Sequence, residues 1–155
     1  MTRTLVALVE NKAGVLNRIA SLFRRRRFNI ESLTVGHSEK SGLSRMTIVV
    51  EKGTDIDKVF RQMYKIVEVI KIKKLNEAEA VIRDLALVKI SVSPKNTTAL
   101  AKVIRKFRAR VARKNGNFWV VEICDEPQNI EAFVLAVKKF GILEISRAGA
   151  TALSS

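Results

Sequence analysis

Thr4-Leu5-Val6-Ala7-Leu8-Val9-Glu10-Asn11-Lys12-Ala13-Gly14-Val15-Leu16-Asn17-Arg18-Ile19-Ala20-Ser21-Leu22-Phe23 is the stretch that decides the fold. Thr4 to Val9 is an apolar run of strand length, and Asn11-Lys12-Ala13-Gly14 breaks it. From about Gly14 to Arg26, Val15, Leu16, Ile19, Ala20, Leu22 and Phe23 recur at three- and four-residue spacing, which places them on one face of a helix. A lone strand and helix cannot bury that face, so further strands must follow.

The following residues carry those signals. Ile30 to Val35 reads as a second strand and Ser38-Glu39-Lys40-Ser41-Gly42 as a turn. Met46, Ile48 and Val50 line one face of a third strand, and Asp55 can cap a helix carrying Ile56, Val59, Phe60, Met63 and Tyr64. In a fourth strand Ile70 and Ile72 alternate with Lys71 and Lys73. The order is βαββαβ, and beyond a linker at residues 76–82 it repeats. Leu85 to Val92 is a strand, Pro94 to Thr98 a turn, and Leu100, Val103, Ile104 and Phe107 a helical stripe. Arg108 to Ala112 and Asn117 to Ile123 form a hairpin around Asn115-Gly116. Ile130, Phe133, Val134 and Val137 mark another helix, and Ile142 to Leu153 a closing strand. The expected class is α+β: two ferredoxin-like domains, each an antiparallel sheet with two helices on one face.

The 155 residues suffice for two such domains. No apolar run is long enough to span a bilayer and the N-terminus lacks a signal-peptide layout, so a cytoplasmic protein is expected. A single cysteine, Cys124, rules out an internal disulfide, and with a single histidine, His37, it leaves no Cys/His zinc site. The net charge of +14 is spread over both halves. Up to Asn76 sixteen basic residues face seven acidic ones (+9), and beyond it thirteen face eight (+5). Such a balance suits an anionic partner.

An RNA-recognition domain shares this element order but stacks bases on aromatic residues of its central strands. Leu5-Val6-Ala7-Leu8-Val9 and Met46-Thr47-Ile48-Val49-Val50 contain none, and of Phe118 and Trp119 at most one can face outward. Catalysis has no more support. His37 reads as an exposed residue beside a turn and Cys124 as a small buried hydrophobe, and no phosphate-binding glycine loop or carboxylate pair occurs. The junction Asn11-Lys12-Ala13-Gly14-Val15-Leu16 has binding chemistry. Amide N–H groups at a helix start attract a carboxylate, Gly14 lets a ligand approach the backbone, and Asn11 offers a donor and an acceptor. The same residues also describe an ordinary turn. The matching junction, Ser93-Pro94-Lys95-Asn96, lacks the glycine.

Leu8-Val9-Glu10-Asn11-Lys12-Ala13-Gly14-Val15-Leu16, Phe28-Asn29-Ile30-Glu31-Ser32-Leu33-Thr34-Val35-Gly36, Leu43-Ser44-Arg45-Met46-Thr47-Ile48-Val49-Val50 and Val67-Glu68-Val69-Ile70-Lys71 together resemble the ACT domain of acetolactate (acetohydroxyacid) synthase regulatory small subunits. Leu85-Ala86-Leu87-Val88-Lys89-Ile90, Phe107-Arg108-Ala109-Arg110-Val111 and Glu144-Ile145-Ser146-Arg147-Ala148-Gly149 resemble that family's C-terminal domain. The resemblance implies an ACT domain over residues 1–75, the linker at 76–82 and an ACT-like domain over 83–155.

It also implies a function in branched-chain amino acid biosynthesis. The chain would be a non-catalytic subunit that activates the catalytic large subunit and confers feedback inhibition by valine. It would have no cofactor of its own, with thiamine diphosphate, Mg and FAD on the catalytic subunit. ACT domains in this family pair, with the amino acid at their interface. Carried over by motif, Asn11, Ala13, Gly14, Val15 and Leu16 would hold valine from one protomer of a homodimer, and Asn29 and Ile30 from the other. Relatives usually carry glycine before Phe-Asn-Ile, where this chain has Arg27, the last of four consecutive arginines. In a left-handed conformation Arg27 would be strained by roughly 1 kcal/mol. An ACT sensor of another amino acid and a basic nucleic-acid-binding protein are the alternatives.

Overall fold

The computed structural model describes residues 3–154. It contains β1 (Thr4–Glu10), α1 (Val15–Arg26), β2 (Ile30–His37), β3 (Leu43–Val50), α2 (Ile56–Met63) and β4 (Val69–Leu75), then β5 (Ala80–Ser91), α3 (Thr97–Lys106), β6 (Arg110–Lys114), β7 (Phe118–Asp125), α4 (Pro127–Val137), β8 (Ile142–Arg147) and β9 (Thr151–Ser154). The sheets have the orders β2-β3-β1-β4 and β6-β7-β5-β8, so the second repeats the topology of the first, and β9 pairs with β5. Every pairing of known register is antiparallel. Among the described residues, 3–82 and 150–154 form one compact unit and 83–149 the other.

In the first unit Leu5, Ala7 and Val9 of β1 and Met46, Ile48 and Val50 of β3 meet Val15, Ile19, Leu22 and Phe23 of α1 and Val59 and Met63 of α2. Alternation puts the odd residues of β1 and the even residues of β3 on one face, and the helical stripe closes over it. The opposite face is also closed. Thr4, Leu8, Thr47 and Leu75 are buried there, and Ser32 Oγ accepts the Ala150 N–H at 3.1 Å. In the second unit Ala86, Val88 and Ile90 pack with Trp119, Val121 and Ile123 under Leu100, Ile104, Ile130, Phe133 and Val137. Trp119 is buried and Phe118 lies on the other face, under the Lys89 ammonium.

Several expectations need correction. The closing strand is two strands, β8 and β9, because Gly149 adopts φ 90 and breaks the extended run. Asp84, only 4 % exposed, pins that break by accepting the Gly149 N–H at 3.0 Å and the Arg147 guanidinium. The segment read as a linker holds a 3₁₀ turn at Glu77–Glu79, capped by Asn76, and the first residues of β5. Ile70 does not share a face with Ile72. The β1–β4 register passes from Leu8↔Lys71 to Val9↔Val69, and this bulge turns Ile70 outward while Ile72 stays buried. Cys124 is exposed, on the face of β7 opposite Ile123.

Candidate functional site

The junction between β1 and α1 is built by backbone geometry. Gly14, at φ 85, is the N-cap of α1, and no side chain caps the helix. A Cβ at Gly14 would meet nothing within 4 Å, so the approach is open. No acidic residue lies in the first turn, which leaves the positive end of the helix without a fixed anion. The charged neighbours are already paired. Lys12 Nζ lies 2.8 Å from Glu10 Oε2, and the bond to that carboxylate holds the Lys12 ammonium above its ordinary pKa. Arg18 pairs with Glu68, whose carbonyl accepts the Glu10 N–H. An incoming carboxylate would therefore meet amide dipoles rather than a free cation.

Asn11 is anchored through its backbone, its N–H donating to Gly42 O at 2.9 Å. Its side-chain amide lies 3.3 Å from His37 Nδ1 at the end of β2. With the imidazole accepting, the Asn11 amide nitrogen is engaged and Oδ1 is left for an ammonium group. Sequence reasoning missed His37, because the contact spans 26 positions and depends on β2 and β3 pairing His37 with Ser44, close in sequence to the Gly42 carbonyl that holds Asn11. Ala13 is exposed and Leu16 is 48 % exposed, whereas Val15 points into the core at 5 %. Only the backbone of Val15 can face a ligand.

Asn29 and Ile30 lie elsewhere. Asn29 is exposed, with its carbonyl accepting the Glu51 N–H, and Ile30 pairs with Val50 and packs against the first core. Asn11 is level with Gly42 and Ile30 with Val50, so the length of β3 separates them. At a strand rise of about 3.4 Å per residue that is about 25 Å. One protomer does not bring the two groups together.

In the matching junction of the second unit no side chain caps α3 either, but the side chains of its first residues are bonded to Ser93. Asn96 Oδ1 accepts the Ser93 N–H at 2.8 Å, and Thr97 Oγ1 donates to Ser93 O at 2.7 Å. Among the described residues, no group of three or more His, Cys, Asp and Glu could hold a metal ion, and no helix is long and apolar enough to cross a membrane.

Known proteins share this arrangement. A family model described as an AHAS small subunit-like ACT domain matches residues 5–71, and one described as the small subunit of acetolactate synthase matches residues 83–155. A probable acetolactate synthase small subunit of Archaeoglobus fulgidus is 41 % identical over 155 residues, covering 99 % of this chain and 96 % of that protein. The acetolactate synthase small subunit of Bacillus subtilis is 40 % identical over 156 residues, covering 99 % and 91 %. The crystal structure of the Thermotoga maritima small subunit superposes with a TM-score of 0.91 at 33 % identity, covering 100 % of this chain and 98 % of that one. With both halves matched by models of one family and relatives alike over almost their whole length, this chain belongs to the acetolactate synthase small-subunit family.

Proposed function

We propose that the chain is a regulatory subunit that binds the catalytic subunit of acetolactate synthase, raises its activity and makes it sensitive to valine. The chemistry and its cofactors belong to the catalytic subunit. The observation that carries the amino-acid site is the placement of its two parts at opposite ends of one sheet, together with the edge position of β2. A free strand edge can accept a second strand. Two copies pairing their β2 strands antiparallel about a two-fold axis would set Asn29 and Ile30 of one beside the His37 end of the other, where Asn11 and Gly14 lie.

In that site the ligand carboxylate faces the start of α1, its ammonium faces Asn11 Oδ1, and Leu16 and Ile30 flank the branched side chain. Valine would favour the arrangement in which the catalytic subunit is less active, with a coupling of about 1–3 kcal/mol. Preference among valine, leucine and isoleucine would be modest, because a methylene is worth only about 1–3 kcal/mol in such a pocket. Calorimetric titration with these three and with serine tests the reading. Binding of the branched ligands to a dimer, with loss in Gly14→Asp, supports it. A folded dimer that binds none of them defeats it.

A further inference from the structure

Helices α1 and α2 lie side by side, with Arg26 Nη2 donating to Gln62 Oε1 at 3.3 Å. A groove is lined by one apolar residue, Leu22, together with Arg25, Arg26 and Gln62. A second groove along α1 runs from Gly14 past Arg18 and Ser21 to Arg24 and Arg25. The acidic groups nearby are committed elsewhere. Glu68 pairs with Arg18, Asp57 with Lys74, and Asp55 caps α2 through the Lys58 N–H. Among the described residues, Arg24, Arg25, Arg26, Lys58, Arg61 and Lys65 form no ion pair.

Helix dipoles account for only part of this concentration. Arg24, Arg25 and Arg26 in the last turn of α1 and Arg61 in the last turn of α2 favour their dipoles, but Lys58 lies in the first turn of α2, where the dipole opposes it. Like charges this close repel in the free protein, and an anionic surface laid over them removes that repulsion. Next to Arg61 and Lys65 in sequence, the C-cap of α2 and the loop after it expose Tyr64 at 70 % and Val67 at 86 %. Tyrosine and arginine beside exposed apolar groups are the composition of a protein interface. A nucleic acid fits less well. Consecutive arginines turn about 100° per residue, so Arg24 to Arg26 fan around the end of α1 instead of following a phosphate backbone. Tyr64 is already stacked on Phe60, with ring centroids 6.3 Å apart.

We infer that the outer surface of α1 and α2 docks an acidic face of a folded protein partner. Under the reading above, on which this inference rests, that partner is the catalytic subunit. The cations steer the encounter, and Tyr64 and Val67 supply apolar contact once water is expelled.

The test measures association of the full chain with the purified catalytic subunit of the same organism at low and high salt. The variants are Arg24→Glu/Arg25→Glu/Arg61→Glu and its neutral counterpart with glutamine at the same positions. Thermal melts establish that each is folded, and the glutamine variant covers any loss of α1 stability caused by acids in its last turn. The expected result is a fall of tenfold or more in association rate at low salt for both variants, with most of the salt dependence gone. Unchanged rates and salt dependence in folded variants would overturn the docking face while leaving the regulatory reading intact. No association of the unaltered chain would overturn the regulatory reading and the partner named from it. Tight, salt-sensitive binding of RNA that is lost in both variants would assign the surface to nucleic acid and overturn the acidic protein partner.

Discussion

The two units run one topology twice and differ most where their first helices begin. Neither first helix has a side-chain cap, but Gly14 starts α1 in a left-handed conformation with no side chain at all, whereas Asn96 starts α3 at φ −111 and turns its side chain back to the Ser93 N–H. The far ends of the two helices agree. Arg27 follows α1 at φ 56 and Arg108 follows the Phe107 C-cap of α3 at φ 55, each with its N–H returned to the last turn. The strain foreseen for Arg27 is thus present in both units. One fold therefore supplies a bare glycine helix start in one place and, in the other, a start whose Asn96 and Thr97 side chains are bonded to Ser93, and two short sequence segments make the difference.

The largest effects probe what the units share. Each core buries one phenylalanine edge-on to a second: Phe23, on the first helix of its unit, meets Phe28, and Phe133, on the second helix of its own, meets Phe107. Phe23→Ala and Phe133→Ala should each cost about 3–5 kcal/mol. Calorimetry should show each lowering the transition of its own unit, and a single transition shifted equally by both would mean that the units unfold as one.

Next comes the contrast itself. Gly14→Asp should weaken binding of a branched-chain amino acid by a hundredfold or more, because its carboxylate takes the place of the ligand's. Asn96→Ala should leave that affinity unchanged in the same titration. Equal effects would erase the distinction between the two helix starts.

Backbone strain gives smaller effects of opposite sign. Gly14→Ala meets no steric neighbour but places a side chain at φ 85, and should lose about 1 kcal/mol. Arg27→Gly and Arg108→Gly should each gain up to about 1 kcal/mol, reduced by the cation lost near a helix C-terminus. Denaturant midpoints measure all three.

Smallest is an acid response that salt divides between the units. In the first, the Arg45 guanidinium holds Glu39 below its ordinary pKa of 4.5, and the Lys74 ammonium holds Asp57 below 3.8. In the second, the Asn129 amide and the Glu126 N–H hold Asp125 down. Carboxylates with lowered values bind protons less readily when folded. Their stabilisation is therefore complete above the ordinary carboxylate range and is lost as pH falls through the lowered values. High salt should reduce the contribution of Glu39 and Asp57 and spare that of Asp125, whose main partners are uncharged. Urea unfolding between pH 5 and pH 2, with and without salt, would show it.

What the sequence disclosed was local. Met46, Ile48 and Val50 alternate cleanly and lie on the core face, and the Asn115-Gly116 hairpin forms between β6 and β7. The residues that escaped depend on remote partners. The outward turn of Ile70 needs a bulge in the β1–β4 register, and the break at Gly149 needs the carboxylate of Asp84. In the candidate site, Asn11 and Gly14 stand out because a helix start is written in consecutive residues. The His37 contact and the distance to Asn29 emerge only once the strands are in order.

Residues 150–154 belong with the first unit although they follow the second in sequence. The core of the first unit is drawn from residues 5–72 alone, so it can close before the second unit has been made. Ser32, on the side of the sheet that holds Thr47, gains its bond to Ala150 only once residues 83–149 have been synthesised. At about 5–20 residues per second that interval lasts several seconds. Nascent chains should therefore resist protease early in the first core, and the Ser32 side of its sheet should become protected only when Ala150 has emerged.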